Sequence, residues 1–200
     1  MMDIEIKSFC GQEILAIIEQ LAHLRIQVFK DWPYLYDGNL EYERNYLKVY
    51  SHSKRSIIGL AYHDKKIIAA TSGLPLIDES IEFQKPFLTS PYNMEKIFYF
   101  GESIALSDFQ GSGLGKLFFQ LREEHARKVI EGLEYTCFAA VERSADHPLK
   151  PKMSKSLENF WKRQGYQKNE ELKMNLAWKD VDQSVETSKK LCFWFKKWTV

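Results

Sequence analysis

An apolar, β-rich run leads into DFQGSGLGK and then into an amphipathic run, over residues 99–119 of the chain. Three glycines stand there at alternate positions, Gly111, Gly113 and Gly115. A glycine turn that opens a helix suits phosphate, because the first helical amides lack partners and the macrodipole is positive at that end. Glycine also lets an anion approach the backbone, since no Cβ intervenes. Two familiar phosphate loops do not fit. A Walker A loop aligned on Gly115-Lys116 would have Gln110 for its first glycine and Leu117 for its magnesium-binding hydroxyl. A dinucleotide fingerprint begun at Gly111 and Gly113 would need glycine where Lys116 stands, and such a unit usually opens its domain rather than lying mid-chain. The pattern that is met is Q/R-x-x-G-x-G, by Gln110, Gly113 and Gly115. One carboxylate, Glu102, interrupts the apolar strand just before the turn. Partial burial there suits it to general-base work near neutral pH. A glutamate at a strand bulge, facing solvent or pairing with Arg or Lys, is the alternative.

Farther on, NFWKRQGYQ (residues 159–167) places an aromatic pair ahead of x-x-x-G-[FY]. Together the two motifs resemble those of the GNAT superfamily of N-acetyltransferases, over about residues 55–178. The resemblance implies an α/β fold with a central mixed β-sheet flanked by helices. It implies acetyl-CoA as co-substrate, no metal, and transfer of the acetyl group to a primary amine by direct attack on the thioester. The amides of Gln110, Gly111, Ser112, Gly113, Leu114, Gly115 and Lys116 would hold the coenzyme pyrophosphate. The strand end at Ile104, Ala105 and Leu106 would lie along the pantetheine arm, and Glu102 would be the catalytic base. Many members carry a tyrosine acid in the second motif, where this chain has Trp161. Either the thiolate leaves without an acid, or Tyr99 or Tyr135 serves; Tyr166 reads as a packing aromatic.

In GNAT proteins the region around WPYLYDGN covers the acceptor site. Asp31, Tyr34, Tyr36, Asp37 and Glu41 make an acidic, aromatic cluster here. Tyr34, Tyr36 and Asp37 can hold a cationic amine by charge and cation–π contact. A solvated loop pinned by aromatic packing has the same composition. Glu142, Asp146 and His147 follow the strand after the coenzyme turn, where a loop can line the acceptor pocket; His147 reads equally as an exposed loop residue. Protein N-termini, lysines, polyamines, amino acids and aminoglycosides all remain open as acceptors. A transferase using another acyl-CoA, or a non-catalytic acyl-CoA-binding module, is the competing function.

These residues need a scaffold, and the periodicities supply one. Ile4 and Ile6 alternate with charges as a first strand. Residues 12–29 have helical spacing, ended by Asp31-Trp32-Pro33, and residues 40–50 form a second helix. Residues 56–62 and 66–74 read as a hairpin, while 79–88 has no clear period. Residues 96–106 form a long strand whose Gly101 marks a bulge or a close backbone approach. A helix to about residue 131, a strand over 135–141, a helix over 157–164 closed by Gly165, and strands over 172–178 and 190–198 complete the order.

Composition narrows the classes. The net charge is +1, which disfavours binding nucleic acid by phosphate neutralisation. Three cysteines without C-x-x-C, and histidines without H-E-x-x-H, give no disulfide framework and no metal site. No G-x-S-x-G elbow supports serine hydrolysis. No apolar run nears the ~20 residues that span a bilayer, and MMDIEIKSF lacks the features of a secretion signal. The expectation is one cytoplasmic GNAT domain over residues 1–200, working without membrane or nucleic acid; a homodimer is compatible with it.

Overall fold

A computed structural model describes residues 3–153 and 156–198. Seven strands, Glu5–Phe9 (β1), Ile57–His63 (β2), Lys66–Pro75 (β3), Ile97–Ala105 (β4), Tyr135–Val141 (β5), Gln167–Trp178 (β6) and Thr187–Lys197 (β7), form one sheet. Its order is β1-β2-β3-β4-β5-β7-β6. Helices Ile18–Phe29 (α1) and Leu40–His52 (α2) precede β2, and a one-turn helix, Ile81–Gln84 (α3), lies between β3 and β4. Leu114–Val129 (α4) and Glu158–Arg163 (α5) follow β4 and β5. Side chains of α1 and α2, among them Leu21, Leu47 and Tyr50, pack with Ile97 and Tyr99 on one face. On the other, Phe119 of α4 packs with Phe98 and Phe100.

The element order matches the sequence expectation, with local departures. The first helix is split: a 3₁₀ segment, Gly11–Ala16, ends at Ile17 before α1 begins. Residues 79–88 resolve into short helical turns. β6 starts five residues earlier than expected, because its pairing with β7 is irregular between Lys168 and Lys173 and the polar residues there break the strand alternation.

Two irregularities in β4 shape the centre. β4 and β5 are the parallel pair, and they bond only over Ile97–Tyr99 and Tyr135–Cys137. Beyond that β4 continues against β3 and β5 against β7, so the sheet splits between them. The second irregularity is a bulge. Between the pairs Thr71↔Ser103 and Gly73↔Phe100, β3 has only Ser72 where β4 has Gly101 and Glu102. The extra residue reverses the alternation of side chains. Phe98 and Phe100 face α4, as does Ser103, whose hydroxyl accepts from Arg122 at 2.8 Å. Tyr99, Glu102 and Ile104 face α1 and α2. Without the bulge, Glu102 would lie under α4.

Gly101 makes the bulge possible. A Cβ there would stand 1.9 Å from the Tyr50 hydroxyl and 2.5 Å from Ser72 Oγ. Gly101→Ala should therefore cost about 1–3 kcal/mol, the usual price of overpacking, read by denaturant unfolding. In a Tyr50→Phe background, which removes the nearest atom, the alanine should cost less. Equal losses in both backgrounds would assign the glycine to something other than this contact.

Candidate active site

β4 ends at Ala105, and a 3₁₀ turn, Ser107–Phe109, carries the chain to the glycines. Gly111 and Gly113 adopt φ of 77° and 91°, left-handed values that favour glycine. Their outer side is open: a Cβ at either would meet nothing within 4 Å. Gly115 instead packs against Phe160, 3.2 Å from where its Cβ would be. The Ser112 hydroxyl donates to the Phe109 carbonyl at 2.6 Å and fastens the turn. The amides of Leu114 and Gly115 open α4 with no carbonyl one turn back, that of Lys116 donates to the Gly113 carbonyl at 3.1 Å, and no acid stands in the first turn. An open cradle of this kind fits a pyrophosphate, so the residues present suit coenzyme A. Ile104, Ala105 and Leu106 lie on the strand end between this cradle and the split in the sheet.

Across the split, on the α1–α2 side, lies a cavity of about 110 Å³. β4 contributes Tyr99, Gly101 and Glu102, β5 contributes Ala139, and Trp178 and Leu191 come from β6 and β7. Phe29, Tyr34, Tyr36, Tyr42 and Tyr46 line the rest. The charged group at its base is Arg25 of α1, which donates through Nε to Glu43 Oε2 and through Nη1 to Glu102 Oε2. The guanidinium also lies over the rings of Phe29 and Tyr46, at 4.9 and 4.7 Å. Burial alone would lower Arg25, but the charges of Glu102 and Glu43 outweigh it and hold the guanidinium well above its ordinary range. Glu43 is 1% exposed and Glu102 6%, and the Oε1 of each has no hydrogen-bond partner among the described residues. Burial pushes the Tyr34 hydroxyl up to about 12.

Behind this layer sits a third buried carboxyl, Glu79. It accepts the Tyr46 hydroxyl at 3.2 Å and the amide of Ser80. Burial pushes its pKa up to about 7, with those two hydrogen bonds opposing the rise. Tyr46 meets Tyr50 hydroxyl to hydroxyl at 3.1 Å. Ser72 Oγ accepts the Glu102 amide at 3.2 Å.

Of the residues the sequence nominated, the structure gathers Glu102, Tyr34 and Tyr36 at the cavity. It does not bring Asp37 or Glu142 there. Asp37 is half-exposed and paired with Lys179 at 2.5 Å. Glu142 is paired with Lys168 at 2.8 Å, which holds its carboxyl below the usual range. The aromatic loop is fixed by Arg143, which donates to the carbonyls of Pro33 and Tyr34 and pairs with Asp180 at 2.6 Å. Trp161 packs edge-on against Phe138 and Trp194, and Tyr166 is buried and bonded to Thr136 and Glu123. Of the two tyrosines considered as acids, Tyr99 lines the cavity, whereas Tyr135 packs against Tyr92 and Phe195. Arg25, Glu43, Tyr46 and Glu79 escaped the sequence reading. Arg25 and Glu43 did leave a signal there, as charges on the buried stripes of their helices: Leu21, Leu24 and Arg25 in α1, and Glu43, Leu47 and Tyr50 in α2.

The Glu79 carboxyl makes stability depend on pH. Its native pKa of about 7 lies above the 4.5 of an unperturbed glutamate, so between those values the folded chain holds the proton more tightly. The resulting stabilisation is fully present below pH 4.5 and is lost as pH rises through 7. Glu79→Gln lacks this dependence. The stability of wild type relative to the variant should fall by roughly 3 kcal/mol between pH 4.5 and 8, from the shift at about 1.4 kcal/mol per pH unit. Urea unfolding of both proteins across that range measures it; a constant difference would mean that Glu79 does not titrate there.

No family model matches the sequence, and no curated protein matches it. Solved structures do share its fold. A GNAT-family acetyltransferase structure from Desulfovibrio desulfuricans has a TM-score of 0.57 at 10% identity, covering 98% of this chain and 99% of that one. A ribosomal-protein-alanine N-acetyltransferase from Brucella melitensis has 0.58 at 12%, covering 97% and 99%. The PaiA N-acetyltransferase of Thermoplasma acidophilum, in complex with coenzyme A, has 0.54 at 12%, covering 98% and 100%. With its split seven-stranded sheet and glycine turn, the chain has the fold of the GNAT acetyltransferases.

Proposed function

We propose that the protein is an acetyl-CoA-dependent N-acetyltransferase whose acceptor is a small cationic primary amine. One observation carries this reading: the glycine cradle and a cavity with two half-satisfied carboxylates meet the same split between β4 and β5. Acetyl-CoA, when bound, supplies a thioester carbonyl open to a nucleophile. The amides of residues 111–115 hold the pyrophosphate, those of Gln110 and Lys116 donating instead to the carbonyls of Ser107 and Gly113, and the strand end at 104–106 guides the arm toward the cavity. A buried acceptor oxygen without a donor is costly. An ammonium group meets that need, donating N–H bonds to Oε1 of Glu43 and of Glu102. The charge agrees, since one guanidinium against two carboxylates leaves the cavity one negative charge in surplus. The walls of Phe29, Tyr34, Tyr36 and Trp178 suit the carbon skeleton beside a cation.

The ion pair with Arg25 alters the part first expected of Glu102. Its Oε2 is tied to the buried guanidinium of Arg25. Glu102 therefore holds and aims the nitrogen.

Three measurements test the reading. Acetyl-CoA mixed with cationic, neutral and anionic amines should release free thiol with the cationic set; turnover confined to the others would overturn the acceptor class. Gly113→Asp sets a carboxylate where the pyrophosphate docks and should weaken coenzyme A binding more than tenfold in calorimetry, about 1.4 kcal/mol or more. Unchanged affinity in a folded variant would sink the coenzyme site. Glu102→Gln should raise KM for the amine by roughly tenfold, as loss of binding common to ground and transition states does, while leaving coenzyme affinity alone.

A further inference from the structure

The transferase reading above leaves a proton unaccounted for. An ammonium must lose one before its nitrogen can attack, and both carboxylates at the cavity are tied to Arg25. We propose that this proton passes through the Tyr46 hydroxyl to Glu79, which stores it during acetyl transfer.

The geometry supports that route. Tyr46 lines the cavity, and its hydroxyl donates to Glu79 Oε1 at 3.2 Å. The step balances as a relay. The ammonium gives its proton to the Tyr46 oxygen, and the Tyr46 O–H proton moves to Glu79. A cation and a carboxylate become a neutral amine and a carboxylic acid. The nitrogen lone pair then attacks the thioester carbon, the C–S bond breaks, and the sulfur leaves with the electron pair and takes up the second proton that the nitrogen sheds as it becomes an amide. Tyr46 gains one proton as it gives one up, so it never has to exist as phenolate; burial pushes its own pKa well up.

Glu79 is the carboxyl in this region best able to become neutral. Among the described residues its side chain makes no ion pair, and it is held by the Tyr46 hydroxyl and the Ser80 amide. Gln84 bonds its backbone carbonyl and leaves the carboxyl alone. The groups around it are Tyr42, Tyr46 and Tyr50 from α2, Tyr99 and Glu102 from β4, and Arg25 from α1. Glu102 repels a charged Glu79, and a protonated Glu79 relieves that repulsion. The Tyr50 hydroxyl, 3.1 Å from that of Tyr46, helps hold the relaying hydroxyl in place.

The test is the pH dependence of steady-state acetylation by wild type, Tyr46→Phe, Glu79→Gln and Glu102→Gln. Two cationic amines of different basicity separate an enzyme group from the amine, since only the amine's own limb moves with the acceptor. Wild-type kcat should fall below about pH 7, at a midpoint that ignores the acceptor. Tyr46→Phe and Glu79→Gln should each lower kcat at pH 7.5 by on the order of 10²-fold, as loss of a general base does, should barely move the amine KM, and should lose that acidic limb. Glu102→Gln should keep the limb. Tyr46→Phe retains the Glu79 carboxyl, so a pH-dependent stability like that of wild type shows it folded and isolates the relay. Folded Tyr46→Phe and Glu79→Gln proteins with a wild-type profile would overturn the proposal, as would a limb that vanishes only in Glu102→Gln. If wild type acetylates no amine at all, the transferase reading fails first and this inference falls with it.

Discussion

Two arginines grip one bulge from opposite faces of the sheet. From α4, Arg122 donates to the carbonyls of Ser72 and Glu102 and to the Ser103 hydroxyl. Those carbonyls sit where the extra residue of β4 interrupts the ladder. From α1, Arg25 takes the Glu102 carboxylate and ties it to Glu43 of α2. Buried ion groups of this kind are poor stabilisers compared with well-packed apolar side chains, because desolvation offsets most of the attraction. Their presence at a cavity therefore points to what the cavity holds. The direction of Glu102, the seat of Tyr46 over Arg25 and the mutual placement of α1, α2 and β4 all rest on this arrangement.

The scaffold was legible in the sequence because its signals are local. The continuous apolar run of 135–141 and the helical spacing of Leu114, Leu117, Phe118, Leu121 and Val129 are visible in the chain, although Leu117 is exposed in the fold, and Gly101 announced a close approach that the Tyr50 hydroxyl fulfils. The glycine turn was readable for the same reason, since left-handed residues leave a mark in residue type. The interior of the site was not. Arg25, Glu43 and Glu79 lie in three separate segments, and each meets its partner only through packing. Glu79 also stands where the chain makes short turns without a period.

The acidic cluster shows where composition misleads. Tyr34, Tyr36 and Asp37 are nearly adjacent, yet the chain turns two of them inward and leaves the third in a surface ion pair. The buried Arg143–Asp180 pair explains the difference. It takes the carbonyls of Pro33 and Tyr34, and residues 179–181 bond the backbone of Leu35 and Asp37, so loop orientation is set from the β6–β7 side.

That dependence reaches back into how the molecule assembles. β7 follows β6 along the chain yet lies inside the sheet, between β5 and β6. The wall residue Leu191 and every β7-side partner of β5 arrive only with it. A chain emerging from the ribosome can build the β1–β4 half with its glycine turn while β5 still presents an open edge. Such edges invite mispairing until they are covered. The half that carries the glycine turn can thus take shape early, whereas the cavity is closed only by a strand that emerges after β6.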